Sequence, residues 1–311
     1  MDALNHRIVL VVRRTRLEDL IVRFNTVEQA RFYVEHLGAD FADYELEHRT
    51  YQQAIVTAEA TLRRFGRVQR LDRSFLPNFL FAPDATIVVF GQDGLVANTL
   101  KYLDGQPVIG VNPDPARWDG VLLPFQVEDL GKIAPEVLVG KRQLQRITMA
   151  RVRLSDGQEL HAVNDFFIGP KSHISARYEI RLGDRAEIHS SSGVIVSTGL
   201  GSTGWFKSLL TGAGGITGHP LDKKREELRE HGFPWDSDHL YFTVREPFPS
   251  RTTQASLVFG QVNQRQPLKL VSQMAGYGVI FSDGVEADFL EFNSGMAATI
   301  DMASQTGRIV L

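Results

Sequence analysis

Val88-Val89-Phe90-Gly91-Gln92-Asp93-Gly94-Leu95 is the stretch on which the fold turns. An apolar strand ends in a glycine-flanked aspartate, and a helix-like run with Ala97 and Leu100 begins at once. A strand that feeds a helix is the unit of a parallel α/β sheet, where ligands gather at the C-terminal strand ends. Glycines flanking the turn let backbone N–H groups face an anion, and the helix adds the positive end of its dipole. An aspartate set there can take a proton from an attacking hydroxyl or help to hold Mg²⁺. The same residues also read as an ordinary strand-to-helix turn with Asp93 as the N-cap, the commoner outcome for so short a motif.

Outward from this turn, the chain up to about residue 140 alternates apolar strands with helical patterns. Arg7–Val12, Val68–Leu71, Thr86–Phe90 and Val108–Asn112 read as strands. Thr26-Val27-Glu28-Gln29 carries a capping-box signature for a helix ending near Gly38. A longer helix is expected from Tyr44 to Phe65, with Leu46, Ala54, Ala58 and Leu62 apolar and Gly66 as its stop. From Arg146 the rhythm becomes that of short strands: Arg146–Leu154, Glu159–Val163, Tyr178–Leu182, Glu187–Ile188, Val194–Ser197, Tyr241–Val244, Ala255–Phe259, Gly278–Phe281 and Ala298–Met302. Helices are expected after Gly204 and over Asp222–His231. The expectation is an α/β domain with a Rossmann-like parallel sheet over residues 1–143 and an all-β, sandwich-like domain over 144–311.

Composition narrows the function classes. The chain has 311 residues, 43% hydrophobic and 23% charged, as in soluble globular proteins. A net charge of −3 argues against a general nucleic-acid or membrane-surface binder. The absence of cysteine excludes disulfides, thiolate metal sites and a thiol nucleophile. No apolar run approaches the roughly 18 residues of a membrane span, and the first strand begins at Arg7, so a cytoplasmic protein without a targeting segment is expected. The nine histidines show no metal-ligand spacing. Walker, dinucleotide-fingerprint and nucleophile-elbow patterns are missing from suitable contexts.

Two further stretches carry chemistry. Ser190 to Trp205 runs from an apolar strand into a loop dense in glycine and hydroxyls: Ser197, Thr198, Gly199, Gly201, Ser202, Thr203 and Gly204, then Trp205. Hydroxyls and free amides in one loop suit phosphate or ribose binding, and Trp205 could stack on a base; the alternative is a helix-capping loop of common turn residues. Asn164-Asp165 interrupts an apolar run and offers a donor beside acceptors, although both are also ordinary turn residues.

Taken in order, these pieces resemble the NAD kinase family, within the superfamily that includes diacylglycerol and sphingosine kinases, and most closely its mitochondrial-type branch. The resemblance rests on Gly91–Gly94, Pro107–Pro115, Asn164-Asp165 with Phe167-Ile168-Gly169, Ser191-Ser192-Gly193 through Trp205, Val244–Phe248, and Phe281–Gly284 followed by Phe289–Phe292. It implies a kinase that moves the γ-phosphate of ATP (or of polyphosphate) to the 2′-hydroxyl of the adenosine ribose of NAD, with Mg²⁺ accompanying the donor and a site in a cleft between two domains. Asp93 would be the base. Gly91, Gln92, Gly94, Asn112, Ser197, Thr198, Gly199, Gly201, Ser202 and Thr203 would serve nucleotide and phosphate, and Asn164, Asp165, Ser192, Gly193 and Trp205 the acceptor. A homodimer is implied as well.

The chain departs from that pattern at three places. Gln92 replaces a glycine, which costs energy if the position needs φ > 0 or close approach to phosphate. Leu95 replaces a hydroxyl residue, and Asp165 is one methylene shorter than the usual glutamate. A kinase of another hydroxyl compound (sugar, nucleoside or lipid), or a nucleotide-binding protein that has lost transfer, therefore stand as alternatives. Few cations lie within the motifs, so Mg²⁺ would carry much of the charge compensation.

Overall fold

The computed structural model of the chain describes residues 6–218 and 221–311. It divides into two compact units, Met1–Gln145 with Arg308–Leu311, and Arg146–Gly307. Residues 308–311, read from sequence with the second half, thus belong to the first unit.

The first unit runs β1 (Arg7–Val12), α1 (Arg16–Phe24), α2 (Val27–His36), α3 (Phe41–Leu62), β2 (Arg67–Asp72), β3 (Thr86–Phe90), α4 (Asp93–Leu100), β4 (Pro107–Asn112), β5 (Phe125–Gln126) and α5 (Leu130–Leu138). Its strands pair in parallel, in the order β2-β1-β3-β4, with β5 also on β4. β1, β3 and β4 are buried almost throughout because unbroken apolar runs suit strands covered on both faces. Tyr51, Ile55, Ala58 and Leu62 of α3 pack onto them with Ile133 and Ala134 of α5. α3 starts at Phe41, capped by Asp40, rather than at Tyr44, and Leu46, one of its apolar positions, is 53% exposed. α1 was not foreseen; Thr15 and Glu18 close a full capping box at its start. At α2 the Thr26 side chain accepts from the Gln29 amide, which forms the N-cap half of the expected box.

The second unit holds β6 (Leu144–Leu154), β7 (Glu159–Ala162), β8 (Asp165–Pro170), β9 (Ala176–Leu182), β10 (Arg185–Ser191), β11 (Val194–Ser197), α6 (Trp205–Thr217), α7 (Lys223–His231), β12 (Leu240–Val244), β13 (Phe259–Val262), β14 (Leu268–Ser272), β15 (Gly278–Ser282), β16 (Val285–Glu291) and β17 (Ala297–Val310). One sheet orders them β10-β9-β14-β17 with β6 and β7 beyond β17; the other orders β13-β12-β11-β8-β15-β16. Tyr178, Ile180, Leu268 and Ile300 from the first meet Phe166, Ile168, Val194, Val196, Phe242 and Ile280 from the second in one core. This is the sandwich expected from the short strands. β13 begins where the expected strand Ala255–Phe259 ends, and β8, β14 and β16 are additional. The last residues of β17 pair in parallel with β4 in the first unit, Arg308 with Pro107 and Ile309 with Val108.

Strand alternation sets the outer face of the second sheet. Because Phe166, Ile168, Val194, Val196, Phe242 and Ile280 point inward, their neighbours Asp165, Phe167, Ile195, Ser197, Tyr241 and Phe281 lie on the other side. α6 and α7 cover part of that face through Phe206, Leu210 and Leu228 against Phe233 and Tyr241.

Candidate active site

In the first unit the candidate residues collect at the C-terminal ends of β1, β3 and β4. The Tyr51 hydroxyl donates to the Phe90 carbonyl (2.7 Å) and accepts from the Arg13 amide (3.0 Å), which ties the ends of β1 and β3 together. Burial pushes this phenol up to about 12. Gly91 follows, and a side chain there would crowd Leu95 Cδ2 at 3.1 Å and Arg13 at 3.7 Å. Gln92 is the N-cap of α4 with φ −125° and ψ 162°, ordinary extended backbone. The position requires no left-handed conformation, so replacing glycine brings no backbone strain. Gly94 is exposed and open.

Asp93 is the first helical residue rather than the cap. Its carboxylate accepts from the amides of Leu122 (2.7 Å) and Val121 (3.2 Å). That loop reaches Asp93 because Gly110 in β4 lets it lie against the strand; a Cβ on Gly110 would overlap the Leu122 carbonyl oxygen. A carboxylate has about four acceptor positions, so two amides leave it capacity for a hydroxyl proton or a cation. Asn112 is buried, its side-chain nitrogen donating to the Trp118 carbonyl (2.8 Å) and its oxygen accepting from the Asp114 amide (3.1 Å). These bonds shape the turn after β4. Leu95 is buried in the α4 interior.

Sequence motifs missed the cation at this strand end. Arg13 lies beside Gly91 and belongs to a chain of ion pairs: Arg13 with Glu47 (3.2 Å), Glu47 with Arg16, Arg16 with Asp43 (2.7 Å), and Asp43 with Arg117 (2.5 Å). Hydrogen bonds from Arg117 and Arg16 hold the Asp43 carboxyl well below the usual range. The signal was present in sequence as Arg13-Arg14 closing an apolar strand, the place where a parallel sheet presents residues to ligands.

In the second unit the structure gathers Asn164, Asp165, Ser197 to Trp205, and Asp283. Asp165 opposes Ser197 across β8 and β11. The Asp283 carboxylate accepts from three successive amides, Val163 (3.0 Å), Asn164 (2.6 Å) and Asp165 (3.3 Å). It does so from a left-handed turn position, φ +55°. Burial, reinforced by the charge of Asp283, pushes the Asp165 carboxyl up to about 7. A side chain at Gly201 would overlap the Asn164 carbonyl, and one at Gly199 the Pro234 carbonyl, so both glycines serve close packing.

Several hydroxyls expected to meet ligand are fully buried with internal partners. Thr198 donates to the Val163 carbonyl (2.5 Å), Ser202 to Gly199 (2.7 Å), and Ser197 to the Thr198 carbonyl (3.0 Å). They build the loop. Thr203, Gly204 and Trp205 are its exposed members. Ser192 and Gly193 lie at the other end of β8 and β11, where Val194 pairs with Ile168. The Val194–Ile168 pair is three strand steps, about 10 Å, from Asp165, and Ser192 and Gly193 lie beyond it.

No protein-family model matches the chain, and no curated protein matches it in sequence. Solved structures do. An NAD kinase from Archaeoglobus fulgidus in complex with ATP superposes with TM-score 0.58 at 16% identity, over 98% of this chain and 93% of that one. Yeast NADH kinase complexed with NADH gives TM-score 0.56 at 14% identity, over 98% of this chain and 83% of that one. The chain has the NAD kinase fold. Within the NAD kinase fold, the strand-end turn at Gly91–Gly94 and the β8–β11 face are the features the sequence pointed to. Among the described residues, no helix is long and apolar enough to cross a membrane.

Proposed function

We propose that the protein is an ATP-dependent NAD kinase, moving the γ-phosphate of ATP to the 2′-hydroxyl of the adenosine ribose to give NADP. One observation carries this reading above the others. Asp93 opens α4 directly after the glycine that ends β3, with its carboxylate steadied by two amides and acceptor capacity left over. Phosphoryl transfer asks a protein mainly to position groups and to balance charge. Asp93 would take the hydroxyl proton as that oxygen bonds the γ-phosphorus and the bond to the departing ADP breaks. The Gly91 and Gly94 backbone, with Arg13 beside it, would face phosphate. Asn164, Asp165, Thr203 and Trp205 would hold the acceptor.

Among the described residues no group of three or more His, Asp or Glu side chains could hold a metal ion. Mg²⁺ would be brought by the donor, since this ion keeps its waters and takes one or two carboxylates plus substrate phosphates. Asp93 would supply such a carboxylate, and the ion would neutralise phosphate charge. The ordinary backbone at Gln92 removes one reason for reading the chain as a lapsed binding protein. We extend the proposal to a homodimer in the cytoplasm, which sedimentation and cell fractionation would test.

Purified protein given ATP, Mg²⁺ and NAD should form NADP, detected with an NADP-specific dehydrogenase. Asp93→Asn should lower kcat by about 10²–10⁴-fold, the usual worth of a general base. Absence of NADP with both ATP and polyphosphate as donors would overturn the reading.

A further inference from the structure

Arg245 directly follows β12, and its main chain is tied both ways to the turn between β10 and β11. Its amide donates to the Gly193 carbonyl (2.8 Å), and its carbonyl accepts from the Ser192 amide (2.9 Å). The guanidinium carbon stands 5.3 Å from the Trp205 ring centre and 5.8 Å from that of Phe167. Those two rings stack on each other at 5.7 Å and 14°, and Phe281 stacks on Phe167 at 6.1 Å and 20°. The backbone makes room for this platform. A Cβ on Gly169 or on Gly193 would stand 2.7 Å from the Phe167 ring, and Gly193 has φ +106°. Glu246, the next residue, is left-handed at φ +44°, a conformation that non-glycine residues seldom adopt outside functional or tightly turned segments.

Arg245 has no carboxylate partner among the described residues. Arg13, Arg16, Arg117 and Arg151 each meet a carboxylate. The Arg245 side chain makes no hydrogen bond or ion pair among the described residues, and its Nε is buried without an acceptor. A buried donor left unpaired is unfavourable, and a bound acceptor would relieve it. Aromatic faces compensate a guanidinium only in part. Trp205 beside it is 38% exposed, which leaves a flat surface open next to an unmatched positive charge.

We propose that Arg245, with the Trp205–Phe167 platform, is a binding subsite for a phosphorylated ring compound of the nucleotide class. The guanidinium takes the phosphate and Trp205 the flat ring. The subsite deepens the kinase reading, on which its place in the reaction rests: the compound bound on this face is an anionic nucleotide and not a neutral nucleoside, sugar or lipid. A neutral acceptor would leave Arg245 unmatched.

Calorimetric titration of the full chain with AMP, adenosine, NAD, ATP and inorganic phosphate tests this. The wild type should bind AMP at least about tenfold tighter than adenosine, the effect of one charge-assisted hydrogen bond. Arg245→Met should abolish that gap while leaving adenosine affinity unchanged, and Arg245→Lys, which keeps a cation over the rings, should restore part of it. Ranking NAD against ATP shows whether the acceptor or the donor supplies the phosphate. Equal binding of AMP and adenosine by the wild type would overturn the proposal. So would an Arg245→Met change that weakens both ligands alike, or one that Arg245→Lys does not relieve. A wild-type protein that forms no NADP yet shows the Arg245-dependent gap would retain the subsite and lose the kinase reading.

Discussion

At the scale of single residues, the candidate carboxylates differ in how they are matched. Asp93 and Asp283 are both steadied by backbone amides, whereas Asp165 is buried beside a like charge. The folded state therefore holds a proton on Asp165 that the unfolded chain, with an ordinary value of 3.8, releases. Since the folded value is raised to about 7, the contribution to stability is full below 3.8 and is lost as pH climbs through 7. Asp165→Asn should consequently be more stable than wild type above pH 7, with the difference closing toward pH 3.8. Urea melts across that range measure it, and a pH-independent difference would contradict the assigned environment. Gln92 teaches a complementary lesson. The identity of that residue was visible in sequence, but whether it mattered depended on φ, which only the fold supplies.

At the scale of elements, strands that are buried on both faces were the most legible. Thr86–Phe90 and Val194–Ser197 match their readings residue for residue because apolar runs ended by polar or glycine residues leave little choice. β8 was hidden because Asn164-Asp165 looks like a turn, and Asp283, far along the chain, supplies the carboxylate that satisfies the strand's first amides. The buried face of α3 was hard to read for a similar reason. Glu47 is only 3% exposed while the apolar Leu46 faces out. A buried glutamate makes sense only once Arg13 and Arg16 are known to reach it. Removing one member of such a buried cluster leaves uncompensated charge, so Glu47→Ala should cost about 3 kcal/mol in urea denaturation. A loss below about 1 kcal/mol would place the pair with exposed ion pairs instead.

At the scale of the whole molecule, the two halves were legible as a change of rhythm, from strand–helix alternation to strands alone. The return of the chain was not. The final segment is a continuous strand whose pattern carries no mark of where one partner ends and another begins. β17 pairs with β14 and β6 in the second unit and then with β4 in the first. Deleting residues 308–311 removes the Arg308–Pro107 and Ile309–Val108 pairs and takes Val310, fully buried, out of the first core. Amide hydrogen exchange should then accelerate in Pro107–Asn112 and its neighbours while Val194–Ser197 keeps its protection. Unchanged exchange in Pro107–Asn112 would show that the terminal pairing is dispensable.

The placement of those four residues also fixes an order of events on the ribosome. Residues 7–112 emerge early and contain the strand-end turn with Asp93. Yet in the sheet that presents Asp93, Pro107 and Val108 lack their neighbours until the chain has been translated through Arg308 and Ile309, after all of the second unit, since β5 pairs only with Val111 and Asn112. Until then the Pro107–Val108 end of that edge has unpaired main-chain groups. The earliest-made half of the protein is in this sense the last to be finished, and Asp93 gains its complete scaffold only when the second unit has already left the exit tunnel or is leaving it.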